Sequence, residues 1–149
     1  MVVLADNFEY MVRVLNTNLN GKTKVAFALT GIKGVGRRFA HLVCKAADVD
    51  TDKRCGELSS EEIDRLLTVI NNPTEYKFPA WFMNMQRDPI TGETGQLVSS
   101  DVVSHLRTAI QFQKKIRTNR GFRHHWRVKV RGQRTKATGR RGNVVGYAK

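Results

Sequence analysis

The uneven distribution of charge along the chain is the feature that most limits how it can fold. Residues 1–100 hold 12 basic and 12 acidic side chains, so this part of the chain is neutral. Residues 101–149 hold the other 14 basic side chains and a single acid, Asp101, and so account for the whole net charge of +13. Basic side chains at this density repel one another unless a polyanion neutralises them. The sequence therefore predicts a front that folds on its own and a basic end that needs an anionic partner.

The rest of the composition excludes several classes of protein. A hydrophobic content of 40% is too high for a uniformly disordered chain, and 12 glycines with 3 prolines do not make a collagen. No apolar run approaches the ~20 residues of a membrane span, and the N-terminus lacks the basic and apolar regions of a signal peptide. Cys44 and Cys55 do not form a Cys-x-x-Cys pair, which fits a reducing compartment. We therefore expect an intracellular protein that does not bind a membrane.

The first part of the chain predicts an extended segment followed by a short helix. Apolar and polar side chains alternate over residues 8–14, as they do in a strand, and Asn20-Gly21 indicates a turn. Residues 24–29 are mostly apolar and predict a helix, for which Thr23 is a suitable N-cap.

Two longer helices are predicted next. Apolar residues recur at helical spacing over residues 36–47. Ser59 and Glu62 fit a capping box at the start of a third helix, and Asn72-Pro73 ends it. The sequence therefore predicts a mainly α front.

The second half of the chain predicts an insertion, a long helix and a tail. Turn residues between two short extended runs predict a β-hairpin over about 82–99. A fourth helix is predicted over 101–118, capped by Ser99 or Ser100, with Gly121 as its stop signal. Beyond it apolar side chains are sparse, so residues 119–149 are predicted to be extended and without a core of their own.

The Gly31–Gly36 turn is a candidate phosphate site. The exposed amides at the start of the following helix suit a phosphate, and Lys33, Arg37 and Arg38 flank them. The alternative is a turn that needs glycine in a left-handed conformation and binds nothing. A nucleotide-triphosphate loop is excluded, because the required Gly-Lys-Ser/Thr is missing.

The run of residues 120–135 is the strongest sign of nucleic-acid binding. Phe122, Trp126 and two histidines alternate with arginines, and planar rings stack on bases while arginine forks grip phosphates. In an extended stretch, the basic residues of 127–131 project to one side and Val128 and Val130 to the other. The alternative is an ordinary amphipathic edge strand.

We find no pattern typical of catalysis or of a metal site. The adjacent His124 and His125 and the two distant cysteines do not make a zinc ligand set. The serines lack a paired His and Asp pattern, so no enzyme activity, cofactor or metal is expected.

The C-terminal run resembles the signature of a known family. Arg120-Gly121-Phe122-Arg123-His124, followed by Val130-Arg131-Gly132-Gln133, is similar to the universal small-subunit ribosomal protein S-thirteen family, called S-eighteen in eukaryotic cytoplasmic ribosomes. Residues 31–38, 72–82 and 135–142 look like the eukaryotic form. The resemblance covers essentially the whole chain.

The resemblance implies a fold of the mainly α class. It implies a helix–two-turn–helix motif at about residues 23–72, within a helical globular domain of residues 1–118 that carries a small β-hairpin insertion at 79–99. Within that domain a long helix follows the insertion, and an extended basic RNA-binding tail, residues 119–149, follows the domain.

The resemblance also implies a function and partners. The protein is expected in the head of a small (40S-type) ribosomal subunit, on small-subunit rRNA and beside the neighbouring protein S-nineteen. It is expected to help form intersubunit bridges that involve the large-subunit protein L-five, while its tail approaches the peptidyl-site (P-site) tRNA. Its location would be cytoplasmic, on the ribosome, with nucleolar passage during assembly.

The residues and the resemblance together assign the RNA contacts to the glycine turn and the basic end. The predicted RNA-binding residues are Lys33, Gly34, Gly36, Arg37, Arg38, Arg117, Arg120, Arg123, His124, His125, Trp126, Arg127, Lys129, Arg131, Gln133, Arg134, Lys136, Arg140, Arg141 and Lys149.

The alternative function is a DNA-binding helix–two-turn–helix module, as in DNA glycosylases of the formamidopyrimidine type. Those enzymes need an N-terminal proline nucleophile and a four-cysteine zinc finger, whereas this chain has Val2 and two cysteines. A third possible class is an RNA-modifying enzyme, but the sequence contains no recognisable set of catalytic residues that would support it.

Overall fold

A tight antiparallel hairpin begins the structure, a computed structural model that describes residues 8–136. β1 (Met11–Val14) pairs with β2 (Thr17–Asn20), with Val12 opposite Leu19. The two loop residues, Leu15 and Asn16, have φ values of 46° and 57°, as in the two-residue turns that match strand twist. The alternation over residues 8–14 thus predicted β1 but not its partner. The turn at Asn20-Gly21 comes after the hairpin, not within it.

The first helix is shorter than predicted and is capped differently. α1 (Val25–Ala28) follows Lys24, which is its N-cap, and continues as one 3-10 turn over Leu29–Gly31. The prediction of Thr23 as the cap is wrong, because its hydroxyl donates instead to the carbonyl oxygen of Asn20 at 2.8 Å.

The next two helices agree closely with the sequence patterns. α2 (Arg37–Ala46) begins after Gly36 and buries the apolar face that the spacing predicted. α3 (Ser60–Asn71) begins with the predicted capping box: the Ser59 hydroxyl accepts from the Glu62 amide at 3.3 Å, and the Glu62 carboxylate accepts from the Ser59 amide at 2.9 Å.

The hydrophobic core lies between the hairpin and these helices. Its most buried large side chains include Val25, Ile32, Val43 and Ile70, and every member of the buried cluster falls between Val12 and Val98. The part of the chain after Val102 forms a second compact unit, and its described residues contribute nothing to this cluster.

The segment over 72–99 reverses direction with little strand structure. The chain turns at Asp88–Gly92, and backbone bonds of 3.2 and 3.0 Å join Met85 and Gly95 in a single antiparallel bridge. Beyond this bridge, the Asn84 side chain bonds both backbone groups of Leu97, at 2.8 Å each. The hairpin predicted over 82–99 is therefore reduced to one bridge, because side-chain amides take the place of further ladder bonds.

The long helix ends three residues earlier than predicted. α4 (Ser100–Lys115) stops before Arg117, whose φ of 59° is left-handed. Ser99 precedes α4, but its hydroxyl donates to the carbonyl oxygen of Leu15 at 2.8 Å rather than capping the helix.

A further helix, α5 (Asn119–His125), corrects two predictions. The tail is not extended over this range, and Gly121 is inside the helix rather than a stop signal. Thr118 caps α5, with its hydroxyl accepting from the Gly121 amide at 3.0 Å. The extended conformation predicted for residues 137–149 lies outside the described residues. Over residues 8–136, no helix is both long and apolar enough to cross a membrane.

Candidate nucleic-acid interface

The glycine turn before α2 is held by the segment that precedes α4. Gly34 has a φ of 91°, and a Cβ there would collide with the carbonyl oxygen of Leu97. The carbonyl oxygen of Lys33 accepts from the Ser99 amide at 2.8 Å, and that of Gly34 accepts from the Gln96 side chain at 2.8 Å. Packing alone therefore explains why glycine stands at position 34, as the structural alternative predicted.

The start of α2 nevertheless has the features of an anion site. Gly36 is the N-cap, and a Cβ built on it meets no heavy atom within 4 Å. The first turn contains no acidic residue, and Lys33, Arg37 and Arg38 are all exposed. Because the first amides of a helix have no partner within it, an anion can bind them directly.

The chain folds back at the end of α5. Arg127 has a φ of 57°, its amide donates to the carbonyl of His124 at 3.3 Å, and the Val128 amide donates to that of Arg123 at 3.0 Å. This is the Schellman arrangement, in which glycine usually takes the left-handed position. In addition, Nε of Arg123 donates to the carbonyl oxygen of Lys129 at 2.6 Å. The loop after α5 is therefore tied to the helix by three hydrogen bonds.

Two aromatic rings stack on the surface of α5. Phe122 and Trp126 lie one helical turn apart, their ring centroids are 5.8 Å apart, and their planes differ by 23°. Their side chains are 42% and 49% exposed, so this pair remains open to a ligand. The predicted RNA-binding residues included Trp126 and omitted Phe122, although both rings lie in the same basic run of the sequence. The signal that could have found the pair is their spacing of four residues.

Basic and apolar residues of the loop line one open concavity of about 290 Å³. We call it the arm concavity, and its lining residues are His124, Arg127, Val128, Lys129, Val130, Arg131 and Gln133. The prediction that the valines and the cations lie on opposite sides is therefore wrong. The left-handed Arg127 and the bond from Arg123 to Lys129 curve the backbone, so that alternate residues share one hollow.

The charges of the two units are balanced differently. In the first unit, Lys24 pairs with Asp52 at 2.6 Å and Lys53 with Glu62 at 2.8 Å. The hydrogen bond from Lys24 lowers the pKa of Asp52, and the bond from Lys53 lowers the pKa of Glu62 against an opposing effect of burial. The second unit, which begins at Val103, has no acidic side chain, so no carboxylate side chain within it balances its cations. The net positive charge of this unit therefore attracts an external anion.

The two cysteines do not resemble reactive or metal-binding thiols. Both are buried and free, and burial raises the pKa of Cys44 to about 11 and also raises the pKa of Cys55. Residues 8–136 contain no group of three or more side chains suited to hold a metal ion.

The structure distributes the predicted RNA-binding residues over both units. The first unit holds Lys33, Gly34, Gly36, Arg37 and Arg38; the second holds Arg117, Arg120, Arg123, His124, His125, Trp126, Arg127, Lys129, Arg131, Gln133, Arg134 and Lys136. Arg140, Arg141 and Lys149 lie outside the described residues. Sequence reasoning missed Thr118, which begins α5, although a threonine before Asn119 is a recognisable cap signal.

Comparison with known protein families agrees with this geometry. A family model described as Ribosomal protein S13/S18 matches residues 13–141, which is most of the chain and includes both the glycine turn and the arm concavity. That family is structural rather than enzymatic, and its members are small-subunit ribosomal proteins that bind rRNA. The chain therefore belongs to the ribosomal protein S13/S18 family, which implies that it works on the ribosome, in the cytoplasm.

Proposed function

We propose that the chain binds small-subunit rRNA mainly through its second unit. The single observation that carries this proposal is a folded, wholly basic surface: residues 117–136 have eight Lys and Arg side chains and no acid, and hydrogen bonds shape their backbone. Each phosphate contact releases a counterion, so such a surface gains affinity from every phosphate it reaches. The start of α2 supplies a second, smaller contact through Lys33, Arg37 and Arg38.

Salt dependence tests the proposal. With roughly 6–10 phosphate contacts, the affinity of the full chain for small-subunit rRNA falls about 10³–10⁵-fold between 50 and 200 mM salt. Arg117→Gln with Arg120→Gln removes two exposed guanidinium groups from the proposed surface. We expect the slope of log affinity against log salt to fall by about two, because about one counterion is released per contact.

A matched control separates site binding from general attraction. Arg65→Gln with Arg87→Gln removes two exposed guanidinium groups that lie outside the proposed surface. We expect this pair to leave the slope nearly unchanged. If both double variants lower the slope equally, RNA binding follows net charge and not this surface. Duplex DNA added as a competitor tests the DNA-binding alternative, since preferential binding to DNA would contradict the proposal.

The resemblance also implies a specific place on the ribosome and specific partners, and these are part of our proposal. We propose that the chain occupies the head of a 40S-type subunit, beside S-nineteen, and contributes to bridges that involve L-five. In this arrangement the tail approaches the P-site tRNA, and the protein passes through the nucleolus during assembly. The long all-basic end supports the tail's role, because tRNA and rRNA are both polyanions.

Two measurements test this placement. In sedimentation of cell extract, the chain should migrate with 40S-type particles at moderate salt, and a free or chromatin-bound pool would contradict it. In assembled ribosomes, a photo-crosslinker at Trp126 should label small-subunit rRNA, and one at Lys149 should label the P-site tRNA. Labelling of neither RNA at either position would contradict the proposed path of the tail.

A further inference from the structure

We propose that the arm concavity is a binding site for a single unpaired RNA nucleotide whose base edge is rich in hydrogen-bond acceptors, with guanine the best match. The proposal rests on the proposed function, because it takes RNA as the ligand. It goes further by assigning one base to one site. Four features of residues 123–133 carry it: the donors in the lining, the volume, the apolar floor and the fixed backbone.

The lining offers mainly hydrogen-bond donors. Arg127, Lys129 and Arg131 carry donors only. Gln133 has one acceptor atom, Oε1, and the Arg131 amide donates to it at 2.9 Å. With that oxygen engaged, the amide group of Gln133 presents its two N–H donors. The donors of these four side chains match a ligand that presents acceptors, and a nucleotide does so through its phosphate and through an acceptor-rich base edge.

The size of the hollow matches one nucleotide rather than a duplex. Its volume of about 290 Å³ is just below the range of small-molecule sites, about 300–1,000 Å³. An A-form duplex has a deep, narrow major groove that side chains do not read, whereas an unpaired base can leave its stack and enter a pocket. Val128 and Val130 are partly buried in the lining and give the base an apolar surface.

The backbone of the hollow is shaped without RNA. The Schellman bonds at the end of α5 and the bond from Arg123 to Lys129 fix residues 127–129 of the loop to the helix. A site formed in advance binds with a lower ordering cost than a segment that folds on its ligand. The fixed backbone at residues 127–129 also limits the region that the donor side chains of Arg127 and Lys129 can reach, which favours selectivity between bases.

The choice between bases follows from their edges. Guanine presents O6 and N7 side by side as two acceptors, and a bidentate arginine is the commonest side chain that reads them. Adenine presents a donor, the N6 amino group, next to its N7 acceptor. One N–H group of an arginine fork would therefore face another donor instead of an acceptor. Loss of one good bidentate pair corresponds to about a tenfold change in affinity or more.

A base-substitution experiment on the full chain tests the proposal. Three fluorescent single-stranded RNA octamers are compared by anisotropy: seven uridines with one central guanosine, adenosine or 7-deazaguanosine. The last one lacks only the N7 acceptor. We expect the guanosine octamer to bind about tenfold more tightly than the other two. Arg131→Gln should bring the three affinities together.

Two further variants make the result specific to the hollow. Arg107→Gln removes a guanidinium group that does not line it, and should weaken all three complexes equally while keeping the preference for guanosine. Gln133→Glu keeps the acceptor for the Arg131 amide but removes the two side-chain donors, and should abolish the preference. Arg131 and Gln133 are both exposed, so neither Arg131→Gln nor Gln133→Glu removes a buried contact.

The outcomes separate this proposal from the proposed function. Equal binding of the three octamers by the unmodified chain overturns the nucleotide site, as does a guanosine preference that survives both Arg131→Gln and Gln133→Glu. In either case, salt-dependent binding of small-subunit rRNA stands as a separate result. If the chain binds neither the octamers nor small-subunit rRNA, both proposals are wrong.

Discussion

Gly121 is a residue at which the sequence predicts the end of a helix and the structure shows the interior of one. In the middle of a helix, glycine usually costs about 1 kcal/mol relative to alanine, so its presence suggests a helix end. Here it lies within α5, where a Cβ would collide with the backbone of Gln113 and Lys114 at the end of α4. The glycine is required for close approach of two helices.

Gly121→Ala is therefore expected to destabilise the second unit, although alanine is the better helix former. A clash with backbone cannot be relieved by side-chain rotation, and overpacking of this kind costs about 1–3 kcal/mol. Hydrogen exchange of residues 119–128 measures the effect as faster exchange. Asn119→Ala, an exposed position in the same helix, is the control and should leave exchange unchanged or slower. Equal protection in Gly121→Ala and the unmodified chain would show that the close approach is not required.

Two arginines occupy positions where glycine is usual. Arg117 and Arg127 have φ values of 59° and 57°, and each lies two positions after the last residue of its helix, α4 or α5. A non-glycine residue in this conformation costs roughly 1 kcal/mol. We infer that the charge of Arg127 is retained at this cost because it lines the arm concavity.

Arg127→Gly should therefore change stability and RNA affinity in opposite directions. Glycine relieves the left-handed backbone, so we expect slower hydrogen exchange over residues 123–128, by a factor that corresponds to about 1 kcal/mol. Loss of the guanidinium group should weaken binding to small-subunit rRNA. Arg127→Ala is the matched control, since it loses the same group but keeps the strain. If both variants exchange at the same rate, the strain is absent.

The buried thiols give a prediction about reactivity. The thiolate is the reactive form, and burial raises the pKa of Cys44 to about 11 and raises that of Cys55 as well. Near pH 8, a disulfide reagent such as Ellman's should react with neither thiol in the native protein and with both in 6 M guanidinium. Reaction of one thiol in the native state at the rate of a free cysteine would show that this thiol is not buried.

At the scale of elements, local signals were predictable and long-range pairing was not. α2 and α3 were predicted to within about a residue, because caps and apolar spacing lie within each helix. The pairing of β1 with β2 requires the choice of a partner strand and of a register, and the alternation within a short extended run does not specify either. The end of α4 was predicted three residues too late because apolar spacing continues through Ile116, and α5 was missed because Gly121 suggests a stop and apolar side chains are sparse after it.

The same limits apply to the candidate site. Its residue types were predictable, since arginines without acids indicate a polyanion partner. Its shape was not, because the hollow depends on the left-handed Arg127 and on the bond from Arg123 to Lys129. Neither feature has a recognisable pattern in the sequence.

The capping box of α3 connects stability to pH. The bond from Lys53 lowers the pKa of Glu62 below its ordinary value of 4.5. A carboxyl whose pKa is lowered by folding stabilises the native state above its unfolded pKa, and this contribution is lost as pH falls through the folded pKa. We therefore expect Glu62→Gln to lower the urea midpoint at pH 7 and to have little effect at pH 2. Glu61→Gln removes the same charge from the same turn, and an equally large effect at pH 7 would contradict the role of the Lys53 pair.

At the scale of the whole molecule, the hydrophobic core and the positive charge lie in different parts of the chain. All members of the buried apolar cluster precede Val102, whereas residues 103–149 hold 14 basic and no acidic side chains. The first unit therefore has the means to fold alone, and the second has the means to attract RNA. The second unit is not a featureless tail, because α5 and its loop are folded over residues 119–133.

A fragment of residues 1–102 should separate these two properties. It keeps the whole buried cluster, so we expect it to unfold cooperatively within a few degrees of the full chain's first transition by circular dichroism. With 12 basic and 13 acidic side chains, it lacks the excess charge, and its RNA contacts reduce to the start of α2. The slope of log affinity against log salt should therefore fall from roughly 6–10 for the full chain to about 2–3. A fragment that keeps the full slope would place the RNA-binding surface in the first unit, and one that fails to fold would show that its core depends on the rest of the chain.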